Sequence, residues 1–253
     1  MSDGSRESAA LSYAVHADGP ALRNSVALAC RVLAAKGLVD GILGHVSARV
    51  GEDELLVRCR GPHEAGLRKS TEHDVWRLSL DGHPIDLPDG YSAPNELPIH
   101  AELMRARPHV GAVVHAHPRA ALLCGLADLR PRAVFGAYNI PALRLALGGV
   151  PVFGRPVLIR TRELALEMLD AMGTSEICLL RGHGITVAAR TVEQATVAAV
   201  NLNALLEVTV ELGRLGSDPP GLADQDLAEL PDLGSAFNDQ LTWQALAAEL
   251  DTP

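Results

Sequence analysis

The sequence is poor in aromatic residues: three Phe, two Trp and three Tyr make up 3% of its 253 positions. A core must therefore be assembled from Ala, Leu and Val, and stacking of nucleic-acid bases on aromatic rings is disfavoured. Lysine is scarce as well. Only Lys36 and Lys69 stand beside Arg among 22 basic residues, and 31 acidic residues leave a net charge of −9. Such a surface argues against nucleic acid as a partner, whereas Arg suits recognition of carboxylates. Cys-x-x-Cys pairs are missing. Cys30, Cys59, Cys124 and Cys178 are far apart among mostly apolar neighbours, which favours buried thiols over disulfides. The opening MSDGSRESAA lacks the basic start and apolar run of a secretory leader. No uninterrupted apolar run approaches the ~20 residues of a membrane span. The expectation is a soluble, cytoplasmic protein with neither membrane nor nucleic acid as partner.

A chain that is 47% hydrophobic and 21% charged has ordinary globular composition, enough for one large or two small domains. Its most informative stretch is Val110–Pro118, VGAVVHAHP. Val110, Ala112, Val113 and Ala116 read as a buried strand. Alternate residues of a strand share a face, so His115 and His117 point the same way, about 6.6 Å apart along the backbone. Two imidazoles so placed can converge on one metal ion, although an isolated His-x-His is a weak signal. Glu96 and His100 precede them in NELPIHAEL, and His183 follows in LLRGHGITV.

The chain around this strand alternates helices and strands. Ala21–Lys36 has the apolar spacing of a helix stopped by Gly37. Val46–Val50 and Glu54–Arg58 read as a hairpin turning at Gly51–Asp53, and Val75–Leu80 as a further strand. A helix from about Asn95 to Arg105 would take Asn95 as its N-cap and carry Glu96 and His100 on one face. The strand Gly111–His115 is then followed by a short helix at Pro118–Leu126. Residues 131–158 read as loops with one short helix near Ala142. After a helix at Arg162–Met172, strands Glu176–Leu180 and Ile185–Ala188 form a hairpin whose turn presents His183. The longest helix spans Val192–Leu215, residues 217–231 form a linker, and a last amphipathic helix covers Phe237–Leu250. Several strands are joined by hairpins, so the expected fold is α/β, with helices on a mixed, largely antiparallel sheet. The expected organisation is a body over residues 1–217, its first 18 a loose lead-in, and a tail over 218–253 that covers a neighbouring subunit's site.

Three histidines, two on a strand and one on a tight turn, leave a coordination position open for substrate or water. Glu96 can serve them as a ligand or as a general acid or base. His100 either orients Glu96 or is a packed structural histidine. In GHVSAR, the alternation of His45, Ser47 and Arg49 puts them on one strand face, where they line a pocket or, for Ser47 and Arg49, simply face outward. Arg60, His63 and Arg68 lie in a glycine-containing loop that either holds an anion or is a solvated loop.

GHVSAR, then NELPIHAELMRARPHVGAVVHAHP, then LLRGHGITVAARTVEQA, in this order and spacing, resemble the class II aldolase/adducin family over about residues 20–215. The resemblance implies a three-layer α/β/α fold around a mixed sheet. It also implies a fourfold homotetramer with active sites between subunits. A divalent metal (Zn, Mn, Co or Fe) would sit on His115, His117 and His183, with Glu96 as the catalytic glutamate. Sugar-phosphate aldolases of this family carry Gly-Asn in the first loop and Ser-Ser before the glutamate. Here His45 replaces the Asn and Pro94-Asn95 the serines, so a phosphorylated sugar fits poorly.

Together with CRGP-x-x-x-GLR and FGAYNIPA, these departures are similar to the family's decarboxylase branch. That likeness implies decarboxylation of an ortho-hydroxylated aromatic dicarboxylate such as 3,4-dihydroxyphthalate, giving 3,4-dihydroxybenzoate, with a pyridine analogue as the next choice. It implies catalytic roles for Glu96 and His45. Substrate contacts would come from Ser47, Arg49, Arg60, Arg68, Asn95 and Tyr138. An aldolase or epimerase acting on a non-phosphorylated sugar or sugar acid is the alternative. A non-catalytic, adducin-like scaffold ranks third, because all four metal-site residues are present.

Overall fold

A computed structural model of the chain describes residues 19–251, so the lead-in expected over residues 1–18 lies outside the described part. Helix α1 (Pro20–Ala35) has Pro in its first turn, where the missing N–H costs nothing. Strands β1 (His45–Arg49), β2 (Glu54–Arg58) and β3 (Val75–Ser79) form a meander. Helix α2 (Leu97–Ala106) leads into β4 (Ala112–Ala116), and α3 (Arg119–Ala127) and α4 (Ile140–Ala146) follow. Next come β5 (Val152–Phe153), α5 (Arg162–Met172) and the hairpin of β6 (Ile177–Leu180) and β7 (Gly184–Ala189). The long α6 (Val192–Arg214), short α7 (Asp224–Glu229), a π-helical turn at Ala236–Leu241, α8 (Thr242–Ala248) and a 3-10 turn at Glu249–Asp251 end the described part of the chain.

Seven strands among the described residues form one sheet in the order β3-β2-β1-β4-β7-β6-β5. Every pairing is antiparallel except β5 with β6. β4 lies in the middle, and all five of its residues are buried. Even-numbered β4 side chains, Ala112, Val114 and Ala116, join the core under α1, α3, α4 and α6. Val113 faces the other way, into the core shared with α2 and α5. This is the expected three-layer α/β/α arrangement with a mixed, largely antiparallel sheet. The alternation also puts His115, and His45 opposite it in the β1–β4 register, on the α2/α5 face.

The elements match their sequence expectations closely except at a few points. Asn95 does not cap α2: the helix starts at Leu97, with Glu96 at the N-cap position and no side-chain cap. The N–H groups of Leu97 and Ile99 already bond the carbonyls of Pro94 and Glu96, and Pro98 has none to satisfy. The two-residue β5 and the single turn of helix α7 were not foreseen. The last helix is broken into a π-turn and α8. α8 seats on α1 and α6 of the same chain, where Leu246 packs with Val32 and Val197 and Lys36 pairs with Glu249 at 2.6 Å. α6 is long and apolar enough to cross a membrane, but half of its apolar window is buried inside the protein, as befits a core helix.

Candidate metal centre

Glu96, His115, His117 and His183 offer one ligand atom each, all within 4.8 Å of one another. Strand alternation supplies His115 and His117. The β6–β7 turn supplies His183, and Gly184 makes the approach possible: a Cβ there would stand 2.2 Å from the Ala116 carbonyl oxygen. Glu96 reaches in because its helix start needs no cap. Its Oε1 accepts the Ile159 N–H at 2.8 Å, which aims Oε2 at the imidazoles, 3.2 Å from His115 Nε2 and 3.4 Å from His183 Nε2.

The proton arrangement favours a cation. His115 Nδ1 donates to the Ile185 carbonyl at 3.0 Å, so in the neutral ring Nε2 carries a lone pair. That lone pair faces the Glu96 carboxylate and, at 2.8 Å, His117 Nε2. The His115 Nε2 lone pair and the Glu96 carboxylate are two acceptors turned toward one space, and they repel unless something positive lies between them. Both ring nitrogens of His183 are buried and make no hydrogen bond within the described residues, a large cost unless a ligand takes one of them. Burial, then the neighbouring His115 and His183, push the His117 imidazole down to about 3, which keeps it in the neutral, ligating form. Burial would raise the Glu96 carboxyl, but contact with His115 and His183 outweighs it and holds the group well below the usual carboxylate range. Three imidazoles and a carboxylate fit a divalent metal.

His45 stands beside this cluster, its ring centroid 5.0 Å from that of His115. Its Nδ1 lies 2.6 Å from His100 Nε2, and His100 Nδ1 lies 2.6 Å from Ser47 Oγ. His100 therefore binds His45 and Ser47 instead of orienting Glu96.

Other expected substrate contacts are placed differently. Arg49 is buried and its guanidinium donates to the main-chain carbonyls of Val110, Glu52 and Met104. It clamps β1 to the end of α2 and is not offered to a ligand. Ser47 is buried behind His45. Arg68 is exposed and donates to the Ala34 carbonyl at 3.0 Å. Arg60 is half-buried, its main chain bridged to Ser92, and Asn95 is exposed. Tyr138 is 79% exposed and packs edge-on against Phe135 instead of beside the histidines. The Ile159 N–H that anchors Glu96 was not anticipated, since a main-chain donor 63 residues away leaves no mark in side-chain identity.

The profile of the class II aldolase and adducin N-terminal domain matches residues 24–210. The chain belongs to the class II aldolase and adducin family. It is 53% identical to 3,4-dihydroxyphthalate decarboxylase of Arthrobacter keyseri over 225 residues, 88% of this chain and 91% of that protein. It is 42% identical to the enzyme of the same name from Rhodococcus jostii (strain RHA1), over 90% of this chain and 95% of that protein. Among solved structures, an aldolase II superfamily protein from Pseudomonas syringae superposes with a TM-score of 0.75 at 21% identity, covering 91% and 92% of the two chains. An L-fuculose 1-phosphate aldolase superposes at 0.70 and 17% identity, covering 93% and 99%. These structural likenesses support the fold. Family membership and the His/Glu cluster together point to a divalent metal.

Proposed function

We propose that this chain is a metal-dependent decarboxylase that converts 3,4-dihydroxyphthalate to 3,4-dihydroxybenzoate and carbon dioxide in phthalate catabolism. The observation that carries the reading is 53% identity with a decarboxylase of that name over 88% of the chain, joined to an intact His115–His117–His183–Glu96 cluster.

His115, His117 and His183 would hold a divalent ion through their ring nitrogens, and it would supply Lewis acidity favouring loss of the hydroxyl proton ortho to the departing carboxylate. Glu96 begins as a carboxylate, so it starts by accepting a proton, and the substrate's ortho hydroxyl is the acid that supplies one. Glu96 then delivers that proton to the ring carbon bearing the carboxylate, and the ring becomes ketone-like at the former hydroxyl. The C–C bond breaks, carbon dioxide leaves, and its electron pair restores the aromatic ring. Solvent returns one proton to the product oxygen. Only the carboxylate next to the hydroxyl can leave by this route, as the named product requires.

Arg60 and Arg68 are assigned to the second carboxylate, with Asn95 and Tyr138 at the rim. The catalytic body is assigned to residues 1–217 and the tail to 218–253. We further infer a cytoplasmic homotetramer with sites between subunits. Supporting this, Leu126 and Leu158, 62% and 47% exposed, flank the Gly182 turn and the Ile159 anchor, and an apposed subunit would cover them. Tyr138, exposed on its own chain, would then serve a neighbour's site.

Comparison of 3,4-dihydroxyphthalate with unsubstituted phthalate tests the reading. Carbon dioxide should come only from the hydroxylated compound. Cleavage of sugar acids with no action on the aromatic acid would favour the aldolase alternative.

A further inference from the structure

Behind the metal cluster, Ser47 Oγ, His100 and His45 form an unbroken hydrogen-bonded row, with 2.6 Å at each link. Ser47 and His100 have no exposed surface and His45 has 3%. The row has a direction that its members determine. Both imidazoles are buried and, among the described residues, neither pairs with a carboxylate, so a charged ring would lose its hydration with no counter-charge beside it. Each ring is therefore neutral and carries one N–H. Among the described residues, no second group reaches Ser47 Oγ. Its buried O–H can be satisfied only by donating to His100 Nδ1. The His100 proton must then be on Nε2, where it donates to His45 Nδ1. That leaves the His45 proton on Nε2, the ring atom turned away from His100 and without a hydrogen-bond partner among the described residues. The reverse direction would strand the serine hydrogen in a dry interior.

We propose that Ser47 and His100 are positioning residues that lock His45 as its Nε2–H tautomer, making it a fixed hydrogen-bond donor to an anionic substrate oxygen at the centre. His45 is then neither a base nor a further metal ligand. The donor role rests on the decarboxylase reading only for the identity of that oxygen, which would be the departing carboxylate's. The tautomer does not depend on it.

Zinc-loaded protein labelled with ¹⁵N-histidine tests both parts. In the wild type, His45 should show a protonated Nε2 and an unprotonated Nδ1. Ser47→Ala should disturb that tautomer at unchanged zinc content, and Ser47→Thr, which keeps the hydroxyl, should restore it. Binding of oxalate should move the His45 Nε2–H proton downfield. With 3,4-dihydroxyphthalate, Ser47→Ala should lower kcat/KM by about 10- to 100-fold, the usual effect of removing a partner that orients a site imidazole. A His45 proton on Nδ1, or a tautomer indifferent to Ser47→Ala, overturns the relay. An Nε2–H proton unmoved by oxalate overturns the donor role. The expected tautomer and oxalate shift, without turnover of 3,4-dihydroxyphthalate, would sustain this inference while removing the substrate assignment.

Discussion

At the scale of single residues, the centre depends on which nitrogen carries a proton and which oxygen is tied down. Replacing His183 by Ala deletes a ligand whose nitrogens make no hydrogen bond among the described residues, so metal content after dialysis should fall, with affinity lost by more than the ~10–100-fold typical of outer partners. Glu96→Gln can still accept the Ile159 N–H through its amide oxygen, and Tm should hold. Turnover should drop about 10²–10⁴-fold, the range for a lost proton-transfer group. Acid sensitivity follows from the buried imidazoles. His100 and His117 are pushed down to about 3, against about 6.5 when unfolded. Their neutral forms support the fold above pH ~6.5. As pH falls below that, the unfolded chain takes up protons the fold refuses. The Tm of metal-free protein should therefore decline from about pH 6.5 toward 3, and a flat profile would count against buried neutral histidines.

At the scale of elements, β4 and the β6–β7 turn are held together so closely that a methyl group is too much. Gly184→Ala places a Cβ 2.2 Å from the Ala116 carbonyl and 3.0 Å from the His117 ring. It should cost about 1–3 kcal/mol and weaken metal binding together with stability. Arg49→Met tests the clamp between β1 and α2. Leaving buried carbonyls unpaired should cost about 2 kcal/mol, roughly 4–8 °C in Tm, while metal content stays intact. Most elements were legible because apolar periodicity survives folding: α5 and β2 have the bounds their sequence implies. What escaped was set by tertiary contact. β5 is two residues long and exists through its parallel pairing with β6. The start of α2 was shifted by main-chain bonds that made the Asn95 cap unnecessary. The roles of Arg49 and His100 were hidden for the same reason, since identity reveals a donor but not which distant carbonyl or ring it meets.

At the scale of the molecule, scarcity of aromatics is answered by a three-layer body in which small residues let helices approach the sheet closely. The four cysteines are part of that filling. Burial pushes Cys30, Cys59 and Cys178 up to about 12 and Cys124 up to about 11. A thiol reagent at neutral pH should label none of them until the protein is denatured; rapid labelling of the native fold would contradict the packing described. The most direct measurement is carbon dioxide release from 3,4-dihydroxyphthalate by metal-loaded protein. One equivalent should appear together with 3,4-dihydroxybenzoate, and both should vanish with chelator and in His115→Ala. Protein shown to hold its metal yet releasing no carbon dioxide would contradict the proposed reaction.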